Sequence, residues 1–399
     1  MNRHAARATL VALFALGLAP RAAADAKVDA RGIAERIVGE ASGIKEGDLV
    51  LVEGQVRDLD LVEELSLAVA RRGAHPLQTL GRERTGKRYY TEVPEKYDAA
   101  RASFALKLVE SLDAYVSVQG LEDPGLYRDV PASRIATVGK GFVAWNQRAL
   151  QKGLKQIYVG NGLYPTEGAA KLLGLTRAEL SRLFWTALAT PPAQIQANGA
   201  AVLAALAGAR QVRVTHPSGT DLRFGIEGRP VVLSDGAITP ERAARGGAAA
   251  VVYLPAGEAM IAPVAGTAEG TVVFDRVPFG PGAIEKLRWT FQKGRLTAHQ
   301  AAPGAAYTRW KELYEAAGDG KDLFAGIDFG LHPNARAPGK KVLLNFIPAG
   351  MVTLALGDDT SLGGSSSSTF GTWAFLPGAT VEVDGKVLVE KGALRAAAR

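Results

Sequence analysis

Acids are the side chains best placed to do chemistry in this chain, because nucleophiles and imidazoles are scarce. It has no cysteine, and five histidines are spread over 399 residues. Thiol mechanisms and a disulfide framework are therefore excluded. No Gly-x-Ser-x-Gly elbow, His-Glu-x-x-His pair or Walker A loop occurs, which removes the commonest signatures of serine hydrolases, zincins and nucleotide hydrolases. Gly139-Lys140-Gly141-Phe142-Val143-Ala144 has the outline of a dinucleotide loop. No acid ends a strand about 20 residues further on, however, and the stretch reads as a helix. The leading candidate is Glu258, which follows the break Pro255-Ala256-Gly257 at the end of an apolar strand. An acid in that position is held by backbone geometry and suits metal ligation or general-base work. The plainer alternative is an exposed turn glutamate. Asp328 and His332, in Gly326-Ile327-Asp328-Phe329-Gly330-Leu331-His332-Pro333, lie close enough in sequence to share a metal.

These residues must be positioned by two different kinds of text. Asp48–Glu53 reads as a strand, Asp58–Arg72 as an amphipathic helix stopped by Gly73, and His75–Leu80 as the next strand. Strand, helix, strand at this spacing is a βαβ unit and demands a parallel sheet. The pattern continues with a helix over 97–112, a strand over 113–118, a helix over 132–151, a strand over 156–159, and helices near 167–173, 177–190 and 192–207. An α/β domain over residues 25–210 follows from this. Residues 211–399 read instead as a β-rich α+β domain. Strands are expected at 211–215, 221–226, 249–254, 271–274, 284–291, 295–300, 341–346, 351–356, 372–376, 380–383 and 386–390, with one helix over 306–317. Gly363–Thr369 (GGSSSST) reads as a loop.

The first 24 residues have the parts of an export signal: Arg3 and Arg7, an apolar run from Leu10 to Ala19, and small residues at Ala22–Ala24. The expectation is a protein exported to a periplasm or secreted, with no membrane span once the signal is removed. Removing Arg3, Arg7 and Arg21 with that segment lowers the formal net charge of +7 by three. The remaining excess is mild and unclustered, so nucleic acid is not an expected partner.

A series of short segments then resembles a known family. Gly219-Thr220-Asp221-Leu222, Leu254-Pro255-Ala256-Gly257-Glu258 with Ala262-Pro263, and Gly270-Thr271-Val272-Val273-Phe274-Asp275 occur in one order. Lys45-Glu46-Gly47-Asp48, Arg72-Gly73-Ala74-His75 and Tyr164-Pro165-Thr166 agree with it. Together they resemble the aminopeptidase T family of metallopeptidases. The resemblance implies an α/β domain followed by a β-rich domain with a two-metal site. It also implies a homodimer, and removal of N-terminal residues from peptides by a metal-activated water.

Carried over one residue at a time, the family's ligand set is kept only at Glu258. The second ligand, a glutamate, falls at Gly326, with Asp328 as a nearby substitute. The third, a histidine, falls at Thr353, and the family's catalytic tyrosine at Thr360. The closing His-x-Asp pair falls at Thr372 and Ala374. Threonine hydroxyls and a methyl group do not balance the charge of zinc, cobalt or manganese. Glu258, Asp328, Asp358 and Asp359 suit at most a weak calcium or magnesium ion. The expectation is an impaired metallopeptidase relative, binding no tight metal and holding a peptide or small molecule in the residual cleft. The alternative is an active metal-dependent aminopeptidase or hydrolase with a rearranged site built on Glu258, Asp328 and His332.

Overall fold

The computed structural model describes residues 29–339 and 341–395. The expected export signal lies outside the described residues. The chain begins with helix α1 (Ala30–Arg36) and strand β1 (Leu49–Gln55), then α2 (Leu59–Arg71), β2 (His75–Gly81), α3 (Glu83–Glu92), α4 (Ser103–Val109), β3 (Ala114–Val118), α5 (Ala132–Lys152) and β4 (Lys155–Val159). Helices α6 (Glu167–Leu172), α7 (Arg177–Ala189) and α8 (Pro192–Leu206) follow. The expected βαβ pattern is present, and every strand pairing in this sheet is parallel. The single helix expected over 97–112 is divided: a 3₁₀ turn spans Glu95–Ala100 and α4 begins only at Ser103.

The second half contains β5 (Gln211–His216), β6 (Thr220–Gly225), β7 (Val231–Ser234), α9 (Pro240–Arg245), β8 (Val251–Leu254), β9 (Glu258–Ile261), β10 (Glu269–Phe279), β11 (Gly282–Gln292), β12 (Arg295–Gln300), α10 (Ala305–Ala316), β13 (Phe324–Gly330), β14 (Val352–Gly357), β15 (Gly371–Phe375), β16 (Thr380–Val383), β17 (Lys386–Glu390) and β18 (Ala393–Leu394). Three sheets result, ordered β2-β1-β3-β4-β8, β12-β11-β10-β6-β5-β16-β17-β18 and β15-β14-β13-β9-β7. Strand β8 lies in the β-rich half of the sequence yet completes the parallel sheet beside β4. The chain then enters the third sheet through Pro255-Ala256-Gly257, so β8 and β9 join two layers directly.

The third sheet is buried on both faces, as the uninterrupted burial of β9, β13 and β14 shows. On one face Phe324 packs against Phe224 and Phe291 of the large antiparallel sheet, with ring centroids 4.8 and 5.3 Å apart. On the other face Val232, Met260, Ala262 and Trp373 meet Tyr253 of β8 and Leu362. A strand expected at 341–346 does not form. Asn345 instead donates to the Asn161 carbonyl and accepts from the Ile347 amide, tying the segment across the sheets rather than along an edge. The 363–369 loop has no regular structure, but Asp358 and Asp359 accept its Ser368 and Ser366 amides. Truncating Phe324 to alanine should lower stability by about 3–5 kcal/mol in chemical denaturation, because its cavity lies between two sheets that cannot close over it. A loss under about 1 kcal/mol would show that the sheets are not locked by these rings.

Candidate functional site: a buried carboxylate pair beside an aromatic cavity

Glu258 is the first residue of β9 and is only 3% exposed. It is a buried strand residue at the junction of two sheets, not a turn acid on the surface. The turn before it is tight: Gly257 has φ +138°, and a Cβ there would lie 2.8 Å from the His332 Cβ. Only glycine fits. Asn161, just beyond β4, donates its Nδ2 to Glu258 Oε2 at 2.9 Å and to the Pro255 carbonyl at 3.0 Å. One amide therefore fixes both the break and the acid it presents.

Antiparallel partners share a face. Asp328 pairs with Met260 and Thr353, and Glu258 pairs with Gly330 and Ser234. Asp328, Thr353 and Glu258 thus lie on the same side of the third sheet, facing the parallel one. Asp328 is fully buried, and neither of its carboxyl oxygens has a hydrogen-bond partner; the Thr353 hydroxyl has none either. Burial raises the Glu258 carboxyl to about 7, with the Asn161 hydrogen bond pulling the other way. Asp328 is held well above the usual carboxylate range, first by burial and then by the nearby charge of Glu258. Two desolvated acids with no cation between them cannot both ionise cheaply.

The other expected site residues do not gather here. His332 donates or accepts at both ring nitrogens within the backbone: Nε2 lies 3.1 Å from the Ala187 carbonyl and Nδ1 accepts the Asn334 amide. Burial lowers its pKa, so it is a neutral structural histidine, and the proposed Asp328–His332 metal pair is corrected. Asp358 accepts the Thr360 hydroxyl at 2.6 Å and the Thr360 and Ser368 amides. Thr360 is consumed by that turn and by Asn146. Asp359, raised to about 6 chiefly by burial, caps the same loop.

The register also corrects two of the family positions. In β15 Trp373 and Phe375 pair with Ala355 and Thr353 on the site face, whereas Thr372 and Ala374 point to the opposite face. There Thr372 accepts the Trp310 indole N–H at 2.8 Å. Gly326 has φ +148°, and a Cβ on it would meet the Ile261 carbonyl at 2.4 Å. A glutamate cannot be restored at that point, and Asp328 is the acid that occupies the site face of β13.

Reasoning from the sequence missed the neighbouring cavity. One face of the parallel sheet lines a space of about 610 Å³ roofed by α4 and α5. Its floor is two rows of side chains: Leu51, Tyr115, Gln156 and Val251, then Glu53, Ser117, Tyr158 and Tyr253. The signal was present as tyrosines at equivalent positions near the ends of KQIYV and VVYL. Tyr253 links the two features, since its hydroxyl is held above its ordinary range by burial and by the charges of Tyr158, Glu258, Asp328 and Asp358.

Residues 27–311 match the profile of the thermophilic metalloprotease (M29) family, and the chain belongs to that family. The match includes Glu258 and stops before β13. AmpT from Thermus thermophilus shares the fold at a TM-score of 0.68 and 18% identity, covering 92% of this chain and 98% of that one. The 2,5-dihydroxypyridine dioxygenase of Pseudomonas putida KT2440 aligns at a TM-score of 0.57 and 16% identity, covering 92% and 97%. No curated protein matches the sequence. Among the described residues no helix is long and apolar enough to cross a membrane.

The family name implies a metal, and the donors in the site can be tested against it. Glu258, Asp328 and Thr353 supply oxygen only, and no three His, Cys, Asp or Glu side chains converge among the described residues. That set does not fit a pair of transition-metal ions, which needs imidazoles and several anionic donors. At most it would suit one weakly held hard cation.

The two carboxyls bind protons more tightly in the folded than in the unfolded chain. Their contribution to stability is present at low pH and lost as pH rises from the ordinary carboxyl range through about 7. Asp328→Asn should therefore gain on the parent protein between pH 5 and pH 8, reaching about 2 kcal/mol at pH 8 in denaturant titrations. A constant difference across that range would show that the pair is neutralised some other way.

Proposed function

We propose that this chain is a non-hydrolytic member of the M29 family that binds a peptide or small molecule in the space lined by its parallel sheet, α4 and α5, beside the buried acid pair. The observation that carries this is the composition of the site face. Glu258 and Asp328 stand beside Thr353, Trp373 and Phe375, and Met260 and Trp373 fill the wall with apolar volume. A metallopeptidase needs an ion to activate water and polarise the scissile carbonyl. This face offers two acids and a hydroxyl with no imidazole beside them, and no three His, Cys, Asp or Glu side chains converge among the described residues. The fold does not decide the matter, because one solved neighbour is named as a dioxygenase.

Export and pairing of two copies belong to the same proposal. The Arg-flanked apolar run at residues 1–24 supports the first. The family resemblance alone supports the second.

The protein without its first 24 residues would be assayed for metal content and for hydrolysis of leucine p-nitroanilide, with zinc, cobalt or manganese added and with chelator. Substoichiometric metal and no turnover above buffer are expected in every condition. Stoichiometric transition metal with turnover abolished by chelator would replace this reading with an active aminopeptidase.

A further inference from the structure

The two faces of the parallel sheet are filled differently. On the α2 side Val50, Val52, Val116, Ile157 and Val159 are all but fully buried against Leu65 and Val69. On the other side α4 and α5 stand off and leave the cavity of about 610 Å³. The space is concave, opens to solvent and has a mostly apolar lining, as small-molecule sites do.

Its walls are aromatic. Tyr115, Tyr158 and Tyr253 form the floor, with Tyr158 and Tyr253 stacked at 5.4 Å and an interplanar angle of 16°. Trp145 and Phe142 of α5 stack at 6.4 Å and 20°, and Tyr115 meets Trp145 edge-on at 5.3 Å. Phe142 is 67% exposed and marks where the cavity reaches solvent. A wall of ring faces and edges favours flat, polarisable groups over bulky aliphatic ones.

The polar groups in the wall narrow the class further. Gln156 is 1% exposed; its Oε1 accepts the Tyr158 hydroxyl at 2.7 Å, while its Nε2 has no partner. A buried amide N–H without an acceptor is rare in native proteins and calls for one from outside. Glu53, at the other side of the floor, is burdened by burial and bonded to Tyr115. Arg101 is held over the rings of Tyr89 and Tyr90 at 4.6 and 4.8 Å and also lines the space. With Glu53, Asp358 and Arg101 in the same wall, a ligand of either net charge meets a group of its own sign.

We propose that the cavity binds a flat, uncharged aromatic molecule carrying an amide-type group, its ring lying against the wall formed by Phe142, Trp145 and Tyr158 and its carbonyl accepting from Gln156 Nε2. This inference rests on the reading of the cleft as a binding site but not on the absence of hydrolysis.

The test uses the protein without its first 24 residues and four probes measured by calorimetry at pH 8: benzamide, cyclohexanecarboxamide, benzylammonium and the dipeptide leucyl-glycine. Saturable benzamide binding is expected, about tenfold tighter than cyclohexanecarboxamide, and about tenfold weaker in Gln156→Leu. The probe series on the parent protein stands even if that variant fails to fold. Tighter binding of benzylammonium, or no binding of benzamide, overturns the proposal. Binding of leucyl-glycine alone also overturns it, while leaving the binding-cleft reading intact. Chelator-sensitive turnover in the anilide assay would remove the non-hydrolytic reading without touching the benzamide result.

Discussion

Two carboxylates buried together in one apolar wall are the constraint on which the rest of this structure turns. Glu258 and Asp328 sit on the face where the parallel and third sheets meet, and neither has a guanidinium or ammonium partner. Such a pair is tolerated only with protons or a metal to neutralise it. Its surroundings favour the first. Asn161 satisfies one oxygen of Glu258, Thr353 offers a hydroxyl, and the remaining volume is taken by Met260, Tyr253 and Trp373. Imidazole, the usual partner of a catalytic zinc, is spent elsewhere, since His332 is locked by backbone groups.

The same junction ties the acid pair to the neighbouring cavity. β8 and β9 are separated by three residues, so the parallel sheet and the acid-bearing sheet are mechanically one unit. Tyr253, between Tyr158 and the acids, belongs to both. The aromatic floor depends on strand register and not on metal coordination.

Much of the fold was legible in the sequence because it rests on local periodicity. The βαβ units announced themselves through alternating strands, capped helices and Gly stops, and Glu258 through the Pro-Ala-Gly break. Four things were not legible. Strands β9 and β13 carry Glu258 and Asp328 inside short apolar runs, where an acid reads as a turn until tertiary burial overrides it. The segment at 341–346 has strand composition but is held by the bonds of Asn345 to the Asn161 carbonyl and the Ile347 amide instead of a strand ladder. The family positions at 372 and 374 were displaced by one residue from the site face, and with a period of two a single step reverses every side chain. The cavity floor was invisible for a different reason: its two rows draw on four strands separated by up to about 200 residues, and only the parallel register brings Tyr115, Gln156 and Tyr253 together.

The most direct measurement is anomalous diffraction at the zinc edge from crystals grown at pH 8 with excess zinc. If the site lacks the donors for a metal pair, no anomalous peak lies between Glu258 and Asp328, and the two carboxyls remain within the apolar wall formed by Met260 and Trp373. Two peaks bridged by Glu258, with further donors turned in toward them, would contradict the account and restore a metallopeptidase centre.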